Sequence, residues 1–327
     1  MKVIHIHRQS KPGVFSIEEL FHAVAAELRE DIEVIEYEAG PRKSMLMDAW
    51  RIRKMKADVY HVTGDIHYMV LLLPWHKTVL TVHDIVHFLL DLKGIKRWLY
   101  KWIWLLLPIR TARAVTSISK TTVDRLVEHL GISRSKVIII DNCHSPLFKQ
   151  VPRAFNTACP VILQVGTRSN KNVPRLIAAL RGIPCKLVLI GKLDESIQQQ
   201  LNNCGTNYEN RVNLSHAQIV QAYVDCDIVA FISLAEGFGV PIIEAQATGR
   251  PLVTSNIFPM IDVAGAAACL VPPTDLSGIR EGFLRIINDD DYRSGIVAAG
   301  VLNAARYSPT AIRVRYLALY KRTQEHS

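Results

Sequence analysis

The sequence predicts an α/β protein made of two doubly wound parallel-sheet domains. Three observations lead there. The chain has 327 residues, about twice the size of an ordinary domain. Short apolar runs alternate with amphipathic stretches, the pattern of a parallel sheet covered by helices. That rhythm stops once, over the polar segment from Asp141 to Pro160 that holds Pro146, Pro152 and Pro160, and restarts at V-I-L-Q-V-G.

In the first domain, residues 1–150, the runs Val3–His7, Ile32–Tyr37, Val59–Val62, Lys77–Val82, Ala114–Ile118 and Val137–Ile140 read as strands. Helical periodicity over Ser16–Arg29, Ser44–Lys56, Lys93–Leu107 and Ser119–Leu130 falls between them. In the second domain, residues 158–307, strands are expected at Val161–Val165, Lys186–Ile190, Val212–Leu214, Ile228–Ile232, Pro251–Val253 and Ala268–Leu270. Ser215 and Gln218 have the spacing of a capping box before a helix ending near Tyr223. Ser308-Pro309 opens a last helix over Thr310–Lys321, within the segment 309–327.

At 49% hydrophobic residues the chain can fill two cores. Its 39 Lys plus Arg exceed its 30 Asp plus Glu, and residues 1–150 carry 22 of the basic and 16 of the acidic residues. The more basic first half suits a nucleic acid, an anionic membrane surface, a phosphorylated acceptor or plain solvent. The six cysteines are scattered without a C-x-x-C pair, which suggests neither a zinc site nor a disulfide framework and fits a reducing cytoplasm. The start, M-K-V-I-H-I-H-R, reads as a short strand and not a signal peptide. The most apolar segment, Trp98–Ile109, falls short of the roughly 20 residues of a spanning helix.

The segment Ser233 to Asn256, S-L-A-E-G-F-G-V-P-I-I-E-A-Q-A-T-G-R-P-L-V-T-S-N, is the most telling. A strand runs into Gly237-Phe238-Gly239, and Pro241 suits a first helical turn, where its missing N–H is no loss. Glycines admit close approach of a ligand to the backbone, and the free N–H groups at a helix start attract an anion, with a diphosphate the obvious guest. Glu236 precedes the turn, and Glu244 lies a turn into the helix, where a carboxylate can accept hydrogen bonds from sugar hydroxyls. The bare spacing also fits any strand–turn–helix with two solvated acids. The longer run E-G-F-G-V-P-x-x-E-A-x-A-x-G-x-P, followed by an apolar strand and S-N, resembles the E-x7-E element of the retaining glycosyltransferases of family four (glycosyl transferases group 1).

That resemblance implies the GT-B architecture: two facing Rossmann-like domains with a cleft between them, and a last helix packing back on the first. It implies that Glu244 binds the ribose of a nucleotide diphosphate sugar and that the turn of Gly237, Phe238, Gly239 and Val240 holds the diphosphate. In G-T-R-S-N-K-N-V-P-R-L, from Gly166 to Leu176, Lys171 aligns with a family cation that neutralises the leaving diphosphate. Arg168 stands for the second cation, in a loop about one residue shorter than the family's. Either could instead be a solvated loop cation. His83, in T-V-H-D-I-V-H, matches the family histidine at the donor sugar, and with Glu236 it would position that sugar. Gly13 stands alone where the family has a glycine pair. His5, His7 and His61 read as structural, and His87 carries a weaker claim than His83.

Asp225-Cys226-Asp227 has the form of a metal-binding D-x-D but precedes a strand, away from the ligand end, so it reads as structural and no divalent metal or other cofactor is expected. Lys93 to Leu107 holds three Trp, one Tyr and four cations. Trp98, Trp102 and Leu105 fall on one face by spacing, which suits either an anionic membrane interface or a buried crossover helix.

The expected activity is retaining transfer of a hexose-type sugar, mannose, glucose or similar, from a UDP- or GDP-linked donor to a glycan acceptor. The acceptor is expected to be lipid-linked, in bacterial surface polysaccharide or lipopolysaccharide synthesis. The expected location is cytoplasmic, peripheral on the inner face of the membrane. Retention in this family proceeds by front-face attack assisted by the leaving phosphate, so no protein nucleophile is assigned. The alternatives are a nucleotide-sugar epimerase or hydrolase of the same architecture, and a basic nucleic-acid-binding protein, for which no motif is present.

Overall fold

The computed structural model describes residues 1–9, 16–85, 88–89 and 92–325. It divides into two compact units, one formed by Met1–Cys143 with Pro309–Ser327 and the other by His144–Ser308.

Unit 1 is a six-stranded sheet in the order β2-β1-β3-β4-β5-β6, parallel throughout. Its strands are β1 (Lys2–Arg8), β2 (Glu33–Ala39), β3 (Val59–Val62), β4 (Thr78–Val82), β5 (Ala114–Ser117) and β6 (Val137–Ile139). The first five positions of this order are those of the flavodoxin-like variety of doubly wound sheet. The central strands β3 and β4 are buried along their whole length, as continuous apolar runs require when both faces of a sheet are covered. On one face lie Leu20, Phe21, Val24 and Leu28 of the helix Ser16–Leu28, beside Ile312, Tyr316, Leu319 and Tyr320 of the closing helix Pro309–Glu325. The other face packs Ala49 and Ile52 of the helix Met45–Lys54, Leu105 and Leu106, and Val123, Leu126 and Leu130 of the helix Lys120–Leu130.

A chain of polar groups runs through the middle of this sheet. The Tyr320 hydroxyl meets His5 Nε2 at 2.9 Å and His61 Nδ1 at 2.7 Å, His61 Nε2 meets Thr81 Oγ1 at 2.7 Å, and Thr81 meets Thr116 at 2.7 Å. Burial holds both imidazoles well below the ordinary histidine range, so they are neutral and act as hydrogen-bond relays.

Unit 2 is also six parallel strands, in the order β12-β11-β10-β7-β8-β9. These are β7 (Val161–Val165), β8 (Lys186–Ile190), β9 (Tyr208–Arg211), β10 (Ile228–Phe231), β11 (Leu252–Ser255) and β12 (Cys269–Val271). Read from β9, this is the 3-2-1-4-5-6 order of the dinucleotide-binding fold, with its switch point between β7 and β10. The capping box of Ser215 and Gln218 is present and starts the helix His216–Asp225.

Two expectations need correction. The third strand of unit 2 is Tyr208–Arg211, not Val212–Leu214. It is an edge strand of half-exposed polar residues, so no apolar run marks it, while Val212 beyond it is 47% exposed. The face expected over Trp98, Trp102 and Leu105 is also broken. The helix Gly94–Leu99 continues as a π-helix over Tyr100–Leu106, whose wider turn shifts the phase and carries Leu105 into the core at 1% exposure. The face left exposed is instead Ile95, Trp98, Leu99, Ile103 and Leu107.

Candidate active site

The loops after β7 and β10 leave neighbouring strands at the switch point, so unit 2 brings together two sequence runs about 65 residues apart. Gly166 begins the first loop at φ +84°, and a Cβ there would lie 3.1 Å from Lys171 Cε, so glycine lets the lysine stem fold over the backbone. Asn172 adopts a left-handed φ of 60° and ends the short turn Ser169–Lys171. Its buried side chain donates to the carbonyls of Ile232 (3.1 Å) and Pro273 (2.7 Å), fixing the loop to the end of β10.

Lys171 Nζ reaches Glu236 Oε1 at 2.6 Å, with both side chains less than one-fifth exposed, and the same ammonium sits 4.6 Å from the centre of the Phe231 ring. Asn170 Nδ2 donates to the Ala235 carbonyl (3.0 Å) and to Glu236 Oε1 (3.2 Å). A cation and a carboxylate are thus held at the mouth of the next turn. Arg168, by contrast, is exposed, and its carbonyl accepts from the Lys171 N–H at 2.8 Å.

Gly239 caps the helix Val240–Thr248 at φ 111° and no side chain caps that end; Pro241 carries no N–H and the Ile242 N–H bonds the Gly239 carbonyl at 2.9 Å, so the Val240 N–H is the one this helical turn can offer a ligand. A Cβ on Gly239 would press on Ile242 Cδ1 at 3.0 Å and Phe231 at 3.2 Å. Phe238 is buried edge-on against Tyr307, so of this residue only the backbone serves the turn. Val240 is half-buried at the first helical position.

Glu244 projects from the first turn and a half of that helix and accepts a hydrogen bond from the Tyr223 hydroxyl at 2.6 Å. Burial pushes its carboxyl up to about 7, against the opposing pull of Tyr223 and Lys171. Near neutral pH it therefore exists in both protonation states. A neutral ligand hydroxyl that donates its hydrogen to this carboxylate selects the ionised one.

In unit 1, His83 follows β4 and is buried. Its Nε2 donates to the Thr63 carbonyl at 2.7 Å, which fixes the tautomer, because a carbonyl can only accept. Nδ1 is therefore a lone pair, buried and without a partner among the described residues, able to accept a hydrogen bond from a hydroxyl. Burial lowers the pKa of the ring, so it remains neutral. Gly13 and His87 lie outside the described residues.

Asp227, the second acid of the D-x-D, is buried and accepts from Val161 N–H (2.8 Å) and Arg153 Nε (3.0 Å). It ties the amino end of β7, opposite the ligand end. Sequence reasoning did not single out Asn170, Asn172 and Tyr223. The K-N pair carried a signal for Asn172, since asparagine tolerates the left-handed region; Tyr223 gave none.

Residues 149–300 match the family described as glycosyl transferases group 1, and residues 26–145 match glycosyltransferase family 4. The O-antigen chain mannosyltransferase B of Escherichia coli is 25% identical over 80% of this chain and 73% of its own. The serotype-specific mannosyltransferase WbdA of E. coli is 23% identical over 72% of this chain, which spans only 32% of that relative. Among solved structures, Anabaena HepE in complex with UDP and glucose superposes with a TM-score of 0.78 at 16% identity, covering 98% of this chain and 100% of that one.

Proposed function

Because the chain belongs to the group 1 glycosyltransferases of GT-B fold, we propose that it transfers a hexose, mannose being favoured by its relatives, from a nucleotide diphosphate sugar with retention of configuration. The observation that carries this reading is the convergence of Lys171 and Glu236, 2.6 Å apart, beside the uncapped start of the helix Val240–Thr248. The diphosphate lies on the Gly237–Val240 turn, whose N–H groups and helix dipole meet its charge. Lys171 shifts from Glu236 towards the phosphate as negative charge builds on the leaving group. Charge that grows only as the sugar bond breaks is stabilised best by donors already fixed in place. Glu236, released from part of that pairing, accepts from a sugar hydroxyl, and the lone pair of His83 Nδ1 in unit 1 is of the kind that accepts from a hydroxyl. Glu244 accepts from the ribose hydroxyls, and Tyr223 orients it. Arg168 supplies a second, mobile cation.

This donor set needs no divalent metal at the diphosphate, and Asp227 is committed to Val161 and Arg153. The acceptor is a glycan, which we assign as lipid-linked in surface polysaccharide synthesis. In support, unit 1 exposes Ile95, Trp98, Leu99, Ile103 and Leu107 on one segment that also carries Lys93, Lys96, Arg97 and Lys101. No helix among the described residues is long and apolar enough to cross a membrane. The test is a panel of sugar nucleotides, read by thermal stabilisation and then by product NMR. The expected result is stabilisation by a UDP- or GDP-linked hexose, slow transfer to a lipid-linked glycan, retained anomeric configuration, and no gain with magnesium or manganese. An inverted product, or stabilisation by no sugar nucleotide, overturns the reading.

A further inference from the structure

On the edge of unit 1, far in sequence from the donor motif, His7 of β1, His22 of the helix Ser16–Leu28 and Glu36 of β2 turn toward one point. His7 Nε2 lies 3.3 Å from Glu36 Oε2, and His22 Nδ1 contacts the same oxygen. The three ligand atoms all fall within 4.8 Å of one another.

The hydrogen bonds around His7 decide what this point needs. Thr63 Oγ1 donates its one proton to the Ile6 carbonyl at 3.1 Å, and His7 Nδ1 lies 2.9 Å from the same hydroxyl oxygen. The hydroxyl therefore accepts from His7 Nδ1–H, and Nε2 is left as a bare lone pair. That atom is buried in a residue only 4% exposed and has no hydrogen-bond partner among the described residues. Its nearest neighbour is a carboxylate oxygen, also an acceptor. Two acceptors facing one another at 3.3 Å, with His22 on the same carboxylate oxygen, leave a place for a cation.

We infer that His7, His22 and Glu36 form a zinc site with an open fourth position. Zinc takes N and O ligands at about 2.0–2.2 Å, so the edge of its tetrahedron is roughly 3.3–3.5 Å, which the His7–Glu36 separation of 3.3 Å already meets. His22, with a side chain 49% exposed, has room to draw back from Glu36 to the same edge length and leaves the outer position to water. Arg29 Nη2 donates to Glu36 Oε1 at 2.5 Å and so turns Oε2 toward the imidazoles, the role of an outer-shell partner. Thr63 does the same for His7. Two histidines and one carboxylate favour zinc over magnesium or calcium, which take oxygen ligands. The ion would clip the helix Ser16–Leu28 to the two strands beneath it. It belongs to unit 1 and takes no part in the donor contacts assigned to unit 2.

The test is cobalt titration of the chelator-stripped full chain, followed by displacement with zinc. The expected result is one equivalent bound, with visible bands of a four-coordinate nitrogen–oxygen site and no thiolate charge-transfer band from the cysteines. His22→Ala and Glu36→Gln should each weaken binding at least tenfold, the range already seen when outer-shell partners are lost. His129→Ala, on the helix Lys120–Leu130, should leave it unchanged. A proton on Nε2 instead of a metal gives a wild-type protein that binds no cobalt, which overturns the inference. So do thiolate bands, or affinity within twofold of wild type in His22→Ala, whose exposed position makes misfolding no explanation.

Discussion

Unit 1 carries imidazoles and hydroxyls through the middle of its sheet, whereas the buried polar side chains on the strands of unit 2 sit toward their carboxyl ends. His5, His61, Thr81 and Thr116 lie inside unit 1, linked to Tyr320. In unit 2, Gln164 donates to the carbonyls of Val165 and Gly166, Thr254 to Phe231 and Ser255 to Ser233, all at strand ends. The difference teaches where each unit is vulnerable. Removing a polar group from unit 1 leaves buried partners unsatisfied and costs stability. Removing one from the rim of unit 2 costs chemistry and leaves the sheet intact.

The largest effect belongs to the rim. Lys171→Ala should lower kcat by about 10²–10³-fold, the scale for a fixed group that stabilises transition-state charge. Its melting temperature should stay close to wild type, because Glu236 Oε1 keeps its hydrogen bond from Asn170 Nδ2 when the lysine is removed. Arg168→Ala, at an exposed position, should cost less than Lys171→Ala. Steady-state kinetics with the preferred donor, beside a thermal melt, checks both. Equal activity in Lys171→Ala and wild type would remove the rim from the chemistry.

Tyr320→Phe probes the opposite region. It deprives His5 and His61 of one shared hydroxyl and should cost about 1–3 kcal/mol of stability, the penalty for buried groups left unpaired. Nucleotide affinity, measured where the variant is folded, should not move. A urea midpoint identical to wild type would show that the polar chain contributes nothing, and the contrast between the units would fail.

Glu244 sharpens the comparison through pH. With a carboxyl at about 7 in the free protein, nucleotide affinity should fall as pH drops below 7, by up to about tenfold per unit while the bound form requires the ionised group. Glu244→Gln should bind more weakly at pH 8 and show no such slope. The sign for folding is opposite. A carboxyl raised above its unfolded value holds more protons when folded, so it contributes most stability at low pH and loses that contribution as pH rises through about 7. Glu244→Gln should therefore melt higher than wild type at pH 8. A calorimetric titration from pH 6 to 8 that gives the same slope in both proteins contradicts the assignment.

The smallest effect is expected at the surface of unit 1. Trp98→Ser with Ile103→Ser should reduce co-sedimentation with anionic liposomes a few-fold, since each removed side chain gives up apolar burial of about 1.5–3 kcal/mol at most. Activity on a soluble acceptor analogue should be unaffected. Equal pelleting would assign lipid contact elsewhere.

Most of the proposed donor site was open to sequence reading because it is contiguous. Glu236, Gly237, Gly239 and Glu244 fall within one strand–turn–helix, and Lys171 follows one strand end. Tyr223 was not legible, because its tie to Glu244 is a through-space contact made across helices. The His7–His22–Glu36 cluster was hidden for the same reason, as strand pairing and helix placement decide which histidines meet. The strands were legible wherever both faces are buried and the chain is uniformly apolar. Edge strand β9 was not, since half-exposed polar residues at 208–211 give no run to read. The phase of the Trp-rich segment failed because seven-residue spacing assumes an α-helix, and a π-helical stretch rotates every later side chain.

Unit 2 is spliced into the chain of unit 1, which is entered at Met1, left at Cys143 and entered again at Pro309. This sets an order of events during synthesis. Tyr320 seals His5 from 315 positions away, so the first unit waits on the ribosome with its polar interior open while the second, made from one uninterrupted stretch, is free to fold. A nick just before Pro309 would spare the later-made unit and unseal the earlier one.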